Sequence, residues 1–162
     1  MSDFPRALKL TTIWLLIGAA VFLGVQAWLS HQQRTQVTVA PGGAIEIRRA
    51  ADGHYHWSGR IEGRAVDFLV DTGATTTAIP QRLAQSLGLA TLGRVESATA
   101  NGATVGTVHR ASVSLDGGVV VEGLRVVALP SLGAPLLGMN VMSRLRWRQQ
   151  GDRLIIETAP GH

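Results

Sequence analysis

The sequence has no cysteine, which excludes disulfides, thiolate metal ligands and a cysteine nucleophile. Aromatic residues are scarce at 5%, too few for the stacking platforms that grip single-stranded nucleic acid. Charge of one sign is weak as well. Fifteen basic residues, all but one of them arginine, face 11 acidic ones, and a net +4 spread over 162 residues is no nucleic-acid footprint. No nucleic-acid partner is expected. Patterns for long crossover helices are missing, which disfavours a doubly wound parallel sheet. What remains is a chain with 46% hydrophobic residues, enough for one core in one domain plus an appendage.

The appendage is N-terminal. Residues 10–29 (LTTIWLLIGAAVFLGVQAWL) form a run of 20 positions without a charge. As a helix this run is about 30 Å long, the thickness of a bilayer's hydrocarbon core. Trp14 and Trp28 lie towards its two ends, where indole rings favour the headgroup region. Arg6 and Lys9 precede the run, and Arg34 is the one close formal charge after it. The positive-inside rule therefore puts residues 1–9 in the cytoplasm, residues 10–29 across the inner (plasma) membrane as a single-pass anchor, and the rest in the periplasm or outside. A cleavable signal peptide is the rival, but its apolar region is usually about 7–15 residues and ends in an Ala-x-Ala-like site, which is not seen here. Residues 30–43 turn polar and end in Pro-Gly-Gly, a linker pattern. The folded domain is expected over residues 44–158.

That domain reads as short strands. Val66, Phe68 and Val70 alternate with Asp67, the period-2 signal of a strand over 65–70. A strand over 55–61 precedes it through a turn at Glu62-Gly63. Residues 80–87 look helical, with proline in the first turn and Gly88 as the stop. Strands over 95–100 and 104–108 are joined at Asn101-Gly102, a favoured two-residue turn. Further strands are expected over 113–115, 119–121 and 124–129, with Asp116-Gly117-Gly118 and Glu122-Gly123 as turns. A short helix over 140–145 and a strand over 154–157 complete the pattern. The expected class is all-β, a closed β-sandwich or small barrel with one or two short helices.

The sharpest local feature is Phe68-Leu69-Val70-Asp71-Thr72-Gly73-Ala74, an apolar strand running straight into an acid, a hydroxyl and a glycine. A bland reading is a strand ending in a turn whose aspartate bonds nearby amides. Further along comes Leu136-Leu137-Gly138-Met139-Asn140, an apolar pair and a glycine leading into a helix. Together these segments resemble the retropepsin-like aspartic proteases of clan AA. With the N-terminal anchor and the Thr99-Ala100-Asn101-Gly102 hairpin, they resemble the bacterial membrane-anchored members in particular.

The resemblance implies an aspartic endopeptidase in which two carboxylates share one proton. One stays protonated and polarises the peptide carbonyl, while the other acts as general base on water. Asp71 is the one aspartate in an Asp-[Thr/Ser]-Gly context. Asp52-Gly53 and Asp116-Gly117-Gly118 read as turns, and Asp67 should face away from Val70. The second carboxylate is therefore expected from a second copy of Asp71 in a two-fold homodimer. Thr72 would support the dyad across the axis, and Gly73 would allow the tight loop. Ala74 removes a hydroxyl that related enzymes aim at the carboxylate, which implies a pH optimum nearer neutral. Ala100, Asn101 and Gly102 would tip a substrate-binding flap. The substrate would be a polypeptide, and neither metal nor organic cofactor is implied. Retroviral relatives carry a second acid where Thr75 stands, which leaves Arg144 without that partner.

Other features carry less. His54 and His56 would share a strand face as metal ligands can, but no third ligand follows at a recognised spacing. His31 and His109 read as solvated. Arg144, Arg146 and Arg148 read as a solvated face around Trp147, and Met139 and Met142 as core packing. A rival class remains open, in which the same fold serves as a catalytically inactive binding or dimerisation module of the cell envelope.

Overall fold

The structure is a computed structural model and describes residues 12, 14–23, 37–40, 43–99 and 102–157. The chain divides into two units, residues 1–35 and 36–162. In the first, residues 14–23 form helix α1, whose side chains are exposed. Among the described residues no helix is long and apolar enough to cross a membrane. The remainder of the predicted 10–29 span, residues 10, 11, 13 and 24–29, lies outside the described residues.

The second unit holds strands β1 (Val37–Val39), β2 (Ile45–Arg48), β3 (His56–Ile61), β4 (Arg64–Val70) and β5 (Ala78–Pro80), helix α2 (Gln81–Ser86), strands β6 (Gly93–Thr99), β7 (Gly102–Leu115), β8 (Val119–Leu129) and β9 (Leu136–Leu137), helix α3 (Met139–Met142), and strands β10 (Arg146–Gln150) and β11 (Arg153–Glu157). Seven strands form one sheet in the order β3-β4-β9-β5-β8-β7-β6, and β3 also pairs with β7. That extra pairing closes six strands into a ring and leaves β6 as a flange on β7. Where the ring closes, Gly59 opposes Leu115, and a Cβ at Gly59 would collide with the Ser114 carbonyl oxygen. Glycine is thus what lets β3 and β7 approach each other.

The other four strands pair in the order β1-β2-β11-β10. Both sheets feed one apolar core, with Ile45, Ile47, Leu154 and Ile156 packing in the same cluster as Trp57, Ile61, Phe68, Val113 and Val126. Trp57 and Phe68 are its largest fully buried side chains, and the Trp57 indole N–H donates to the Asp116 carbonyl at 2.8 Å. Ala78, Val127 and Leu129 form a smaller, separate buried cluster, with Val95, Leu132 and Leu136 packed against it.

The all-β expectation holds, and several local readings change. The strands expected over 104–108 and 113–115 are one 14-residue strand, and those over 119–121 and 124–129 are one 11-residue strand. Glu122-Gly123 is therefore no turn. The β7–β8 register shifts between Ala111 and Val113, so Glu122 and Gly123 together oppose Ser112 as a bulge, with Gly123 at φ +59°. The β6–β7 register pairs Thr99 with Gly102, so Gly102 belongs to β7 and not to the turn expected at Asn101-Gly102, while Asn101 lies outside the described residues. Val37–Val39, expected in the linker, forms β1, and Ile45–Arg48 and Arg146–Gln150 add two strands that were not anticipated. His54 precedes β3 and does not share a strand with His56. His109 is not solvated. It is buried at 4% exposure between the Ala90 carbonyl (2.9 Å) and the Thr107 hydroxyl (2.8 Å).

Helix α2 follows proline at its N-cap and stops as its sequence predicts. The Gly88 N–H bonds the Gln85 carbonyl and the Leu89 N–H bonds the Ala84 carbonyl, with Gly88 at φ +64°. That is a Schellman stop, for which a left-handed glycine is suited.

Candidate active site

Asp71 is the first residue beyond β4, and the strands around β4 fix its backbone. Tyr55 accepts the Val70 N–H at 2.9 Å, and β9 runs parallel to β4 with Leu69 opposite Leu136 and Val70 opposite Leu137. The Asp71 N–H then donates to the Leu137 carbonyl at 3.0 Å. The two motifs set far apart in sequence, Asp71-Thr72-Gly73-Ala74 and Leu136-Leu137-Gly138, therefore meet as adjacent strand ends.

Beyond Asp71 the chain turns tightly. The Ala74 N–H donates to the Asp71 carbonyl at 3.2 Å, and the Gly73 N–H donates to the Asp71 carboxylate Oδ1 at 2.9 Å. This is an aspartate bonding the amide two residues on, as turn aspartates do. A Cβ at Gly73 would sit 3.2 Å from that same Oδ1, so a larger residue would crowd the carboxylate. Asp71 and Ala74 are half-buried, while Thr72 and Gly73 are exposed.

The loop is then stitched to α3. Ala74 and Thr75 carbonyls accept the Met139 and Asn140 N–H groups at 2.7 and 3.1 Å. The fully buried Thr77 donates both its backbone N–H and its hydroxyl to Asn140 Oδ1, each at 2.8 Å. Its hydroxyl oxygen in turn accepts the Gly138 N–H at 3.2 Å. Asn140 Nδ2 reaches across to the Arg125 carbonyl at 2.8 Å, and the Thr77 carbonyl accepts the Val127 N–H at 3.0 Å. Gly138 fits because it has no side chain: a Cβ there would lie 2.6 to 2.8 Å from Thr76 and Thr77 backbone atoms. Sequence reasoning quoted Gly138 and Asn140 but gave neither a role, and it missed Thr77. The available signal was an amide side chain two residues past a strand-ending glycine.

No hydrogen bond or ion pair joins Asp71 to another carboxylate among the described residues. Asp67 lies on β4 but bonds His56 Nδ1 at 3.0 Å and accepts from the Ser58 hydroxyl at 3.3 Å. Asp52 bonds the other His56 ring nitrogen at 2.8 Å. Its carboxyl is held below the ordinary range, first by the His54 backbone N–H and then by His56. Asp116 occupies the β7–β8 turn. Among the described residues no three His, Cys, Asp or Glu side chains are placed to hold a metal ion. Arg144 is exposed and makes no side-chain ion pair with them. The predicted flap falls on the β6–β7 hairpin. Gly102 starts β7 at φ +104°, and Ala100 and Asn101 lie outside the described residues.

The sequence pattern of the family described as "gag-polyprotein putative aspartyl protease" matches residues 57–144, which take in the Asp71 loop, the β6–β7 hairpin and the Gly138–Asn140 segment. A crystal structure of a retropepsin-like aspartic protease from Rickettsia conorii superposes with a TM-score of 0.59 at 29% identity, covering 70% of this chain and 89% of that one. The solution structure of a simian foamy virus protease gives a TM-score of 0.43 at 22% identity over 54% of this chain and 91% of that one. An uncharacterised protein of Rickettsia prowazekii is 29% identical over 119 residues, 70% of this chain. The chain spans 51% of that relative's length. The family match covers more than half of the chain and takes in the loop just described, and the chain belongs to the retropepsin-like aspartic protease family.

Proposed function

We propose that this chain is a membrane-anchored aspartic endopeptidase whose water-activating dyad consists of Asp71 from each of two copies. The observation that carries the reading is the state of the Asp71 carboxylate. It sits half-buried at the end of a rigid strand pair, with Oδ1 held by the Gly73 N–H and Oδ2 bonded to none of the described residues. A second copy approaching along a two-fold axis would place two such carboxylates side by side. Like charges that close do not both ionise, so the pair holds one proton.

The chemistry then follows from that shared proton. The ionised carboxylate takes a proton from water as the oxygen attacks the peptide carbonyl, and the protonated one gives its proton to the carbonyl oxygen. The dyad then gives its proton to the amide nitrogen and takes one from a hydroxyl of the tetrahedral diol, so the C–N bond breaks, the carboxylic acid forms and the dyad again holds a single proton. Thr72, exposed next to Asp71, would bond across that axis. The apolar cluster of Ala78, Val127, Leu129 and Leu136 offers a floor for hydrophobic side chains of a polypeptide substrate.

The anchor rests on the uncharged 10–29 run and its flanking charges, which also place the catalytic domain outside the inner membrane. Its substrates would then be polypeptides exposed at that surface. Peptide cleavage by the wild type but not by Asp71→Asn supports the reading. Silence of both in a covalently linked dimer would instead favour a binding or dimerisation module.

A further inference from the structure

Strand β8 places Arg125 directly opposite Arg110 of β7. Like charges in that position repel, and antiparallel sheets generally avoid them. Arg110 donates to the Gly123 carbonyl at 3.0 Å, and among the described residues neither arginine forms an ion pair with a carboxylate. Both are exposed. They line a cavity of about 290 Å³ together with Leu92, Gly93, Arg94 and Val108. A surface that keeps two guanidinium groups side by side at one hollow is suited to receive an anion.

Its location says which anion. Side chains two apart on a strand share a face, so Arg125 lies on the same face as Val127, and Arg110 on the same face as Val108. Val127 belongs to the small apolar cluster with Ala78 and Leu136, its neighbours across β5 and β9. Leu136 immediately precedes Leu137, which receives the Asp71 N–H. The arginines are therefore one end of a continuous strip that begins beside Asp71. Two strand spacings and two residues of rise put Arg125 roughly 12 Å from Leu136, the span of three to four residues of extended peptide. The Arg125 carbonyl is also bonded by Asn140, so this end of the strip is tied to the loop that carries Asp71.

We infer that the Arg110–Arg125 cavity is a recognition site for an acidic segment of the polypeptide substrate, three to four residues from the bond that is cut. This deepens the endopeptidase reading and rests on it for the direction of the peptide. Guanidinium forks bind carboxylates bidentately, and a pair of them sets register as well as affinity.

The test uses the full-length chain in detergent micelles and two fluorescent decapeptides with a Leu-Phe centre. They differ only in carrying Glu-Glu or Gln-Gln three and four residues from that centre. Binding is read by anisotropy with Asp71→Asn, so that no cleavage intervenes. The Glu-Glu peptide should bind about tenfold more tightly at low salt, and the advantage should vanish in Arg110→Gln/Arg125→Gln and shrink at high salt. The double variant removes a repulsion and should keep or raise the Tm. Arg125→Glu provides a second folded control, because it would pair with Arg110 and should also lose the preference.

Equal binding of the two peptides overturns the inference, as does an advantage that survives both substitutions. Arginine-dependent binding to phosphatidylglycerol vesicles with no peptide preference overturns it in favour of a lipid surface. Failure of the endopeptidase reading is visible separately. It would appear as wild type leaving both peptides intact while the Glu-Glu preference persists in Asp71→Asn.

Discussion

Thr77 and Asn140, 63 residues apart, are joined by two hydrogen bonds of 2.8 Å that converge on one oxygen, Asn140 Oδ1. Because Thr77 is fully buried, water cannot replace that oxygen. Asn140→Ala would leave a buried N–H and a buried hydroxyl proton without an acceptor, and should cost about 2–4 kcal/mol in urea unfolding. Catalysis should fall too, since Thr77 ends the loop that begins at Asp71. Asn140→Asp keeps the acceptor but loses the donor to Arg125, and should cost less than alanine.

Gly138 is the second fixed point of that loop. A methyl group there would meet Thr76 and Thr77 backbone atoms at 2.6 to 2.8 Å, and a backbone held by the Thr77–Asn140 bonds cannot yield as a side-chain tip would. Gly138→Ala should therefore destabilise by about 1–3 kcal/mol or more. By contrast, Gly133→Ala should be nearly neutral, because a Cβ there meets nothing within 4 Å. Thermal unfolding of the two variants side by side checks the contrast.

How much of this was legible in the sequence depends on the range of the interaction. The end-of-strand position of Asp71 follows from Val66, Phe68 and Val70 alternating into an acid, and the helix stop at Gly88 follows from local backbone chemistry. Gly102 was expected in a turn because an Asn-Gly pair suits one wherever pairing allows, and only the Thr99–Gly102 pairing puts it in β7. Glu122-Gly123 looked like a turn for the same reason. A bulge also needs a left-handed glycine, and only the long β7–β8 ladder distinguishes the two. The Thr77–Asn140 lock was invisible, since nothing local says which of three consecutive threonines points inward. His109 was misplaced because its burial is made by the distant Ala90 carbonyl.

Acid should weaken the fold through exposed carboxylates. Asp52 lies below its ordinary value of 3.8 because the His54 N–H and then His56 favour its charged form, and Asp152 lies below it because Arg48 bonds it at 3.1 Å. Both groups bind protons more readily in the unfolded chain. Their contribution is thus fully present above about pH 4 and is lost as pH falls through the lower folded values. Asp52→Asn should be less stable than wild type at pH 6 and approach it towards pH 2. His56 faces a carboxylate oxygen from each ring nitrogen, Asp67 on one side and Asp52 on the other.

Ala74 offers a test of the pH range. Its backbone closes the Asp71 turn, and its methyl gives that turn no hydroxyl. A serine at this position should add a bond that favours the charged dyad, so Ala74→Ser should move the acid side of the pH–rate profile to lower pH. Wild type should work best nearer neutral, and an optimum below about pH 4 for the wild-type chain would contradict this assignment.

The most direct measurement of the central claim is hydrolysis of a mixed peptide library by the full-length chain between pH 4 and 8, with Asp71→Asn in parallel and the oligomeric state recorded at each concentration. The account predicts cleavage by wild type that rises with the dimer fraction, and a loss of about 100-fold or more in Asp71→Asn at unchanged Tm. Cleavage undiminished in Asp71→Asn, or full activity in a chain shown to be monomeric, would contradict it.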